Sequence, residues 1–310
     1  MIELMPPTEL TIAICTYNRA NYLQDTLTGL TEQTADKDRF EILVINNNST
    51  DQTEAVCREF DMMHPRFNFR WVTESEQGLS PARNRAAKEA ASDRLLYIDD
   101  DVHLPANFVQ TALNYVSENP DIKAAGGRIF VSFDEDEPDW IPRELMPMFG
   151  LHDLGATDKI YPRDNFPRGG NMLIHKELFK ETGMFDPNLG RTGASLIGSE
   201  EKAFFENVRK KSIPLHYLSD LELHHRIGPK RLEPGYIKDQ SIGIGKSERR
   251  RLLGQPAKIL GKLISELFKL VASFLLAAGY LIQGKTKAAK FILIFRVWVL
   301  KGFLSLLPLK

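Results

Sequence analysis

Two apolar runs of strand length, Leu10-Thr11-Ile12-Ala13-Ile14-Cys15 and Phe40-Glu41-Ile42-Leu43-Val44-Ile45, each break off into polar turn residues and lead into a helical pattern. After the first come Thr16-Tyr17-Asn18-Arg19 and then Tyr22, Leu23, Leu27 and Leu30 at helical spacing. After the second comes Asn46-Asn47-Asn48-Ser49-Thr50-Asp51, rich in helix-capping side chains, ahead of Glu54 and Val56. Strand–helix units in series predict an α/β fold built on a mostly parallel sheet with right-handed crossovers. A third strand is expected near Phe69 to Val72 and a fourth over Leu95 to Ile98. Open sheets of this kind hold ligands outside the carboxyl ends of their strands, so the polar turns are where chemistry is expected.

The fourth run ends in three adjacent carboxylates, Asp99, Asp100 and Asp101. Acids packed so closely repel one another unless a divalent cation or hydrogen-bond donors hold them. Magnesium or manganese bound by one or two such carboxylates keeps positions open for phosphate oxygens, which points to a metal-diphosphate site. The other reading of the triplet is an acidic cap for the helix that follows from about Pro105.

Other polar positions carry two readings each. Gly78-Leu79-Ser80-Pro81 predicts a helix capped by Ser80 with Pro81 in its first turn, from which Arg83 and Arg85 would meet an anion or pair with Glu89 or Asp93. A strand interrupted by Gly126-Gly127 is expected from Ile122 to Phe130. From Ser132 to Asp164 the pattern dissolves into acids, prolines and aromatics; there Trp140 would stack on a sugar ring or fold back onto the core. Gly169-Gly170-Asn171 opens a strand, and Ser199 is placed to cap a helix whose first turn carries Glu200 and Glu201. A short strand over Pro214 to Tyr217 precedes His224-His225, a pair that suits metal ligation or a structural role.

Cys15 and Cys57 are too few for a disulfide framework and lack metal-site spacing, and the first seven residues carry an acid and prolines where a signal peptide needs basic residues and an apolar run, so no export is expected. The net charge of -1 conceals an asymmetry: 13 Lys and Arg against two Glu from Lys246 onward, with the acidic balance in the rest of the chain. A division into a catalytic domain, 1–245, and a basic amphipathic helical tail, 246–310, follows. In the tail, Lys258, Lys262, Glu266 and Lys269 recur on one helical face, a charge-free run covers Leu270 to Ile282, Gln283-Gly284-Lys285 makes a turn, and Phe291 to Leu309 forms a second segment. The charge-free run is shorter than the roughly 18–20 residues that span a bilayer. The tail is therefore expected either to lie in an anionic membrane interface or to pack as a hairpin on its own chain or a second copy.

In their order along the chain, Thr16-Tyr17-Asn18-Arg19, Asn47-Asn48-Ser49-Thr50-Asp51, Ala82-Arg83-Asn84, the Asp-x-Asp of Asp99 and Asp101, Gly170-Asn171 and Glu200-Glu201 resemble family 2 glycosyltransferases of bacterial type, over roughly Leu10 to Gly228. The resemblance implies the GT-A fold, a hexosyltransferase-type enzyme and a nucleoside-diphosphate sugar donor, a UDP-sugar foremost. It places Thr16, Tyr17, Asn18, Arg19, Asn46, Asn48, Gly78, Arg83, Asp99 and Asp100 on the donor side. Asp101, with Asp99 and His225, would hold Mn2+ or Mg2+; Gly170, Asn171 and Trp140 would face the acceptor; Glu201, beside Glu200, would be the general base. Asn46 stands where many relatives carry an Asp that reads uracil, and Glu201 where Asp is common.

The chemistry so implied is displacement of a nucleoside diphosphate from an anomeric carbon by a hydroxyl of a glycan or lipid-linked acceptor in surface polysaccharide synthesis, with inversion. It would take place at the cytoplasmic face of the inner membrane, to which the chain is bound peripherally or monotopically, without a nucleic-acid partner. Two alternatives stand beside it. A sugar nucleotidyltransferase needs a glycine-rich loop after the first strand, which Thr16 to Arg19 is not. A membrane-docked protein that only binds nucleotide-sugars or glycans would have no use for both the Asp triplet and the Glu pair.

Overall fold

The computed structural model describes residues 8–193 and 195–305. Nine strands among them form one sheet. Strands β1 (Leu10–Thr16), β2 (Phe40–Asn46), β3 (Asn68–Thr73) and β4 (Arg94–Ile98) are parallel, in the order β3-β2-β1-β4. Beyond β4 the sheet turns antiparallel: β8 (Asn171–His175) pairs with β4 and with β6 (Ala124–Phe133), while β9 (His216–Ile227) carries the two-residue strands β5 (Val102–His103) and β7 (Lys159–Ile160). The strand order reverses between β1 and β4. Their carboxyl ends therefore open the crevice in which such sheets hold ligands, and Thr16 to Arg19 and Asp99 to Asp101 stand at its two lips.

The period-two alternation of the strands builds two cores. Leu10, Ile12, Ile14, Ile42, Val44, Leu96 and Ile98 pack on one face with α1 (Ala20–Thr31), α2 (Thr53–Met63) and α4 (Phe108–Glu118). Ala13, Leu43, Ile45, Leu95 and Tyr97 pack on the other with α3 (Leu79–Glu89), α5 (Glu177–Thr182) and α6 (Glu200–Lys210).

Several local expectations are corrected. Helix α3 begins at Leu79, so Ser80 and Pro81 lie inside it and Gly78, with φ 148°, is the N-cap. The Gly78 N–H is already committed to Asn47 Oδ1 at 2.7 Å, which turns the chain two residues earlier. Gly126 and Gly127 do not interrupt β6. A Cβ on Gly127 would stand 1.8 Å from the Leu221 carbonyl oxygen, so the bare backbone is what lets β9 approach. The strand expected to stop at Tyr217 runs on to Ile227, and His224 and His225 are within it, the first half-exposed and the second buried.

The chain divides into two compact units, residues 1–130, 152–187 and 200–226 in one, and Val131–Leu151, Asn188–Ser199 and Ile227–Lys310 in the other. The division expected after residue 245 falls inside helix α7 (Pro234–Arg251), which the sequence did not announce. In the second unit, α7, α8 (Pro256–Ile282) and α9 (Thr286–Leu304) assemble around Ile237, Phe291, Ile292, Phe295 and Val299, with Leu145 from the irregular 131–151 stretch. The expected turn at 283–285 separates α8 from α9, and the tail's last residues, 306–310, like the first seven of the chain, lie outside the described residues. None of the described helices is long and apolar enough to cross a membrane.

Helix α7 is held by contact between backbones: a Cβ on Gly245 would meet the Val299 carbonyl oxygen at 2.0 Å, and one on Gly302 would meet that of Ile242 at 2.1 Å. We expect Gly245→Ala to cost about 1–3 kcal/mol of unfolding free energy through overpacking. Gly261→Ala, on α8 with nothing within 4 Å, should instead be neutral or stabilising by up to ~1 kcal/mol. Denaturant titration of the two variants makes the comparison.

Candidate active site

The turns at the ends of β1 and β2 are knitted together. Asn18, in the left-handed region at φ 52°, accepts the Thr50 N–H at 2.7 Å and gives its own N–H to Ser49 Oγ at 3.0 Å. Asp51 accepts the N–H groups of Ala20 and Thr53, both at 3.0 Å, and so caps α1 and α2 at once. Asn46 Oδ1 accepts the Ser49 N–H at 2.9 Å, Asn48 takes φ 59°, and buried Asn47 ties the turn to the segment before α3 through Glu74, Glu76 and Gly78. The expected donor-side residues thus form one braced rim, with Tyr17 half-buried on it.

Across the crevice the three aspartates have different surroundings. Asp100 is turned inward, accepting from Thr16 Oγ1 at 2.6 Å and pairing with Arg19 Nε at 3.1 Å. Burial pushes its carboxyl up to about 6, although Arg19 works in the opposite direction. Asp101, also buried, pairs with Arg19 and lies 3.4 Å from His225 Nε2. Asp99 is half-buried. The pairing register sets His225 beside Asp101: Val102 lies opposite His225, and the Arg226 N–H donates to the Asp101 carbonyl oxygen at 2.8 Å.

Asp99, Asp101 and His225 each offer a ligand atom, all within 4.8 Å of one another. Two carboxylates and an imidazole are a donor set suited to manganese, and with bonds of about 2.1 Å the ligands of one octahedral ion stand about 3–4 Å apart. The residues fit a divalent ion.

Glu200 and Glu201 open α6, behind Ser199 at φ 75°. Glu200 is buried and accepts from Arg83 Nη1 at 2.6 Å, while its Oε2 finds no hydrogen-bond partner among the described residues. Burial and then the neighbouring Glu201 carboxylate push Glu200 up to about 8. Burial alone would raise Glu201 as well, but Arg83 and Glu200 hold it below the usual carboxylate range. The two carboxyls titrate as one pair whose burial and mutual repulsion favour keeping a proton between them, with Glu200 shifted up and Glu201 down. Arg83 is buried too; desolvation opposes its charge, but Glu200, Glu201 and Asp99 outweigh it. Arg85 makes the surface pair with Glu89, 2.8 Å apart.

Two glycines join the halves. A Cβ on Gly169 would stand 2.0 Å from Arg83 Nη2, and one on Gly170 would stand 2.6 Å from Asp99 Oδ2. A chain of close approaches therefore runs from Glu201 through Glu200, Arg83, Gly169, Gly170 and Asp99 to Asp101 and His225, all in the first unit. Asn171 braces this floor, its Nδ2 donating to the Arg128 and Leu221 carbonyls at 3.0 and 2.9 Å, while its buried Oδ1 has no partner. Trp140 belongs to the second unit, where its ring meets Phe291 edge-on at 5.2 Å, the folded-back alternative for this side chain. Sequence reasoning passed over Gly169 and Asn47 as site residues. The glycine pair was the available signal for the first; nothing distinguished Asn47 from its asparagine neighbours.

A family model described as Glycosyl transferase family 2 matches residues 11–183. The chain belongs to that family. A glucosyl-dolichyl phosphate glucuronosyltransferase of Haloferax volcanii is 21% identical over 252 residues, 78% of this chain and 76% of its own length. The glycosyltransferase GlyA of Streptococcus pneumoniae is 29% identical over 172 residues, 55% of this chain but 22% of its own length. Among solved structures, the mannosyltransferase PcManGT of Pyrobaculum calidifontis, in complex with GDP-Man and Mn2+, shares the fold with a TM-score of 0.59 at 18% identity, over 93% of this chain and 86% of that one. The fold is GT-A and the chain is a glycosyltransferase.

Two measurements test the site. Gly170→Ala should leave the melting temperature close to that of the parent yet weaken Mn2+ binding at least tenfold by displacing the Asp99 carboxylate, as read by titration calorimetry without donor. Glu200 binds its proton more tightly folded than unfolded, so between pH about 5 and 8 it makes stability fall as pH rises. Glu200→Gln should match the parent near pH 5 and become progressively the more stable of the two towards pH 8, in paired denaturant titrations.

Proposed function

We propose that the chain transfers a sugar from a nucleoside diphosphate to a hydroxyl of a glycan or lipid-linked acceptor, inverting the anomeric centre, with Mn2+ or Mg2+ as its cofactor. The transfer activity and the nucleotide-sugar donor class follow from the family; the finer assignments are this proposal. What supports it is the run of close approaches within the first unit from the Glu200–Glu201 pair through Arg83, Gly169 and Gly170 to the Asp99, Asp101 and His225 donors.

Asp99, Asp101 and His225 would hold the divalent ion, whose chemistry when bound is to offset charge developing on a departing diphosphate. Arg19, at the lip of the crevice between Asp100 and Asp101, adds a fixed positive charge there. The braced rim of Asn18, Asn46, Asn48 and Gly78 positions the nucleoside. Asn46 Oδ1 is oriented by Ser49 and retains a lone pair for a base N–H, which suits the uracil of a UDP-sugar. At the acceptor, anionic Glu201 takes the proton of the attacking hydroxyl as the new O–C1 bond forms. The bond from C1 to the phosphate oxygen breaks with its electron pair leaving on the diphosphate, and attack from the far face inverts C1. Arg83 and the protonated Glu200 keep Glu201 ionised and placed for that step.

The surroundings of this reaction are part of the proposal: surface polysaccharide synthesis at the cytoplasmic face of the plasma membrane, with the basic tail holding the chain peripherally to anionic lipid. The family relative named for a dolichyl-phosphate-linked glucose supports a lipid-linked acceptor.

Glu201→Gln should leave nucleotide-sugar binding within about twofold and cut transfer by at least ~10²-fold, the low end for loss of a general base. Near-normal turnover would remove Glu201 from that role. Asp101→Ala should abolish the manganese-dependent part of donor binding in calorimetry with and without the metal. Unchanged affinity would refute the ligand assignment.

A further inference from the structure

Helix α8 has its polarity turned inside out. Its Lys262, Glu266 and Lys269 face α7 and α9, where Lys262 lies 3.2 Å from Glu248 and 3.0 Å from Glu266, Lys269 lies 2.8 Å from Glu266, and Arg251 lies 3.0 Å from Glu248. Much of the charged face read from the sequence is thus an ion-pair seam, with Lys258 and part of Lys269 left exposed. The outward side carries Leu260, Ile264, Phe268, Val271, Leu275 and Ile282, each between 59% and 88% exposed. At 100° per residue these six fall within a quarter turn, a stripe about 33 Å long. The ionisable residues of α8, Lys258, Lys262, Glu266, Lys269 and Tyr280, all fall on the opposite side. Monomeric soluble proteins rarely expose so long an uncharged apolar strip, and such strips mark interaction sites.

The charges around the stripe decide between occupants. Both acids of residues 246–310, Glu248 and Glu266, are buried and paired, so the charge exposed beyond the far side of α8 is cationic: Lys285 and Lys287 at the α8–α9 turn and Lys290 and Lys301 on α9 are all exposed. A second copy laid on the stripe would bring the same cations with it, and an acidic protein partner would find no charge on the stripe to meet. An anionic lipid surface satisfies both parts, acyl chains for the stripe and phosphates for the lysines.

Building on the membrane placement proposed above, we propose that α8 lies in the plane of an anionic bilayer with its Leu260-to-Ile282 stripe sunk among the acyl chains. Apolar insertion supplies most of the hold, and the lysines of the α8–α9 turn only steer. This differs from attachment by a basic face in its response to salt, because insertion is not screened.

The test is flotation of the full chain with vesicles of phosphatidylcholine alone or mixed three to one with phosphatidylglycerol, at low salt and in roughly 0.5 M salt. The parent should float with the anionic vesicles and keep at least half of its binding in high salt. Phe268→Glu combined with Leu275→Glu should lose at least tenfold at both salts, while Lys285→Gln, Lys287→Gln and Lys290→Gln together should lose no more than about threefold. All should keep the parent's circular dichroism and its rate of nucleoside diphosphate release with a soluble acceptor. Binding lost to salt or to the lysine substitutions alone, with the Phe268/Leu275 variant still floating, would overturn the stripe's role while leaving membrane placement intact. A parent that is dimeric without vesicles, becomes monomeric on Phe268/Leu275 substitution and does not float would assign the stripe to a second copy instead. Failure to float with sugar transfer intact would end the membrane placement and spare the enzymatic reading; flotation without transfer would do the reverse.

Discussion

The charge balance around Arg83 governs how this catalytic unit can be put together. A guanidinium only 3% exposed needs a counter-charge and hydrogen-bond acceptors beside it, and the Glu200–Glu201 pair supplies both, Glu200 accepting from Arg83 and Glu201 held below the usual carboxylate range. Arg83 comes from α3 and Glu200 from the first turn of α6, so the pair fixes two helices on one sheet face and makes Gly169 obligatory beneath them. One cation serves two adjacent acids, and the surplus negative charge is what a proton on Glu200 relieves. The same balance holds the half-buried Glu201 below the usual carboxylate range.

Much of the first unit was legible in the sequence because its strands are apolar on both faces and each ends in a distinct polar cluster. The runs at Leu10, Phe40 and Leu95 needed no tertiary context to be placed, and the helix of Leu23, Leu27 and Leu30 buries those residues. The site residues stood at the strand ends for the same reason. The antiparallel half was harder. Strand β9 alternates buried and half-buried positions through Glu222, His224 and Arg226, a pattern read as a polar stretch after a short strand, because its partners are the sequence-remote β6 and the two-residue strands β5 and β7.

Helix α7 was missed on physical grounds. Gly235, Gly243 and Gly245 argue against a helix locally; only tertiary contacts turn the lack of a side chain into an advantage, at Gly245 the close crossing with α9 and at Gly243 the approach of the Leu196 backbone. In α8 the amphipathic period was plain, but period does not say which face looks outward. That depends on Glu248 of α7 and Arg296 of α9, residues whose positions no pattern within α8 contains.

The spacing of Asp101 and His225 is dictated by the backbone ladder between β5 and β9 and by the Arg226-to-Asp101 hydrogen bond. Such a cradle has little freedom to widen, since its ligands can separate only if paired strands part. The distance between these two side chains is thus written into the hydrogen-bond lattice of the sheet, and does not wait on the choice of rotamer at either residue alone.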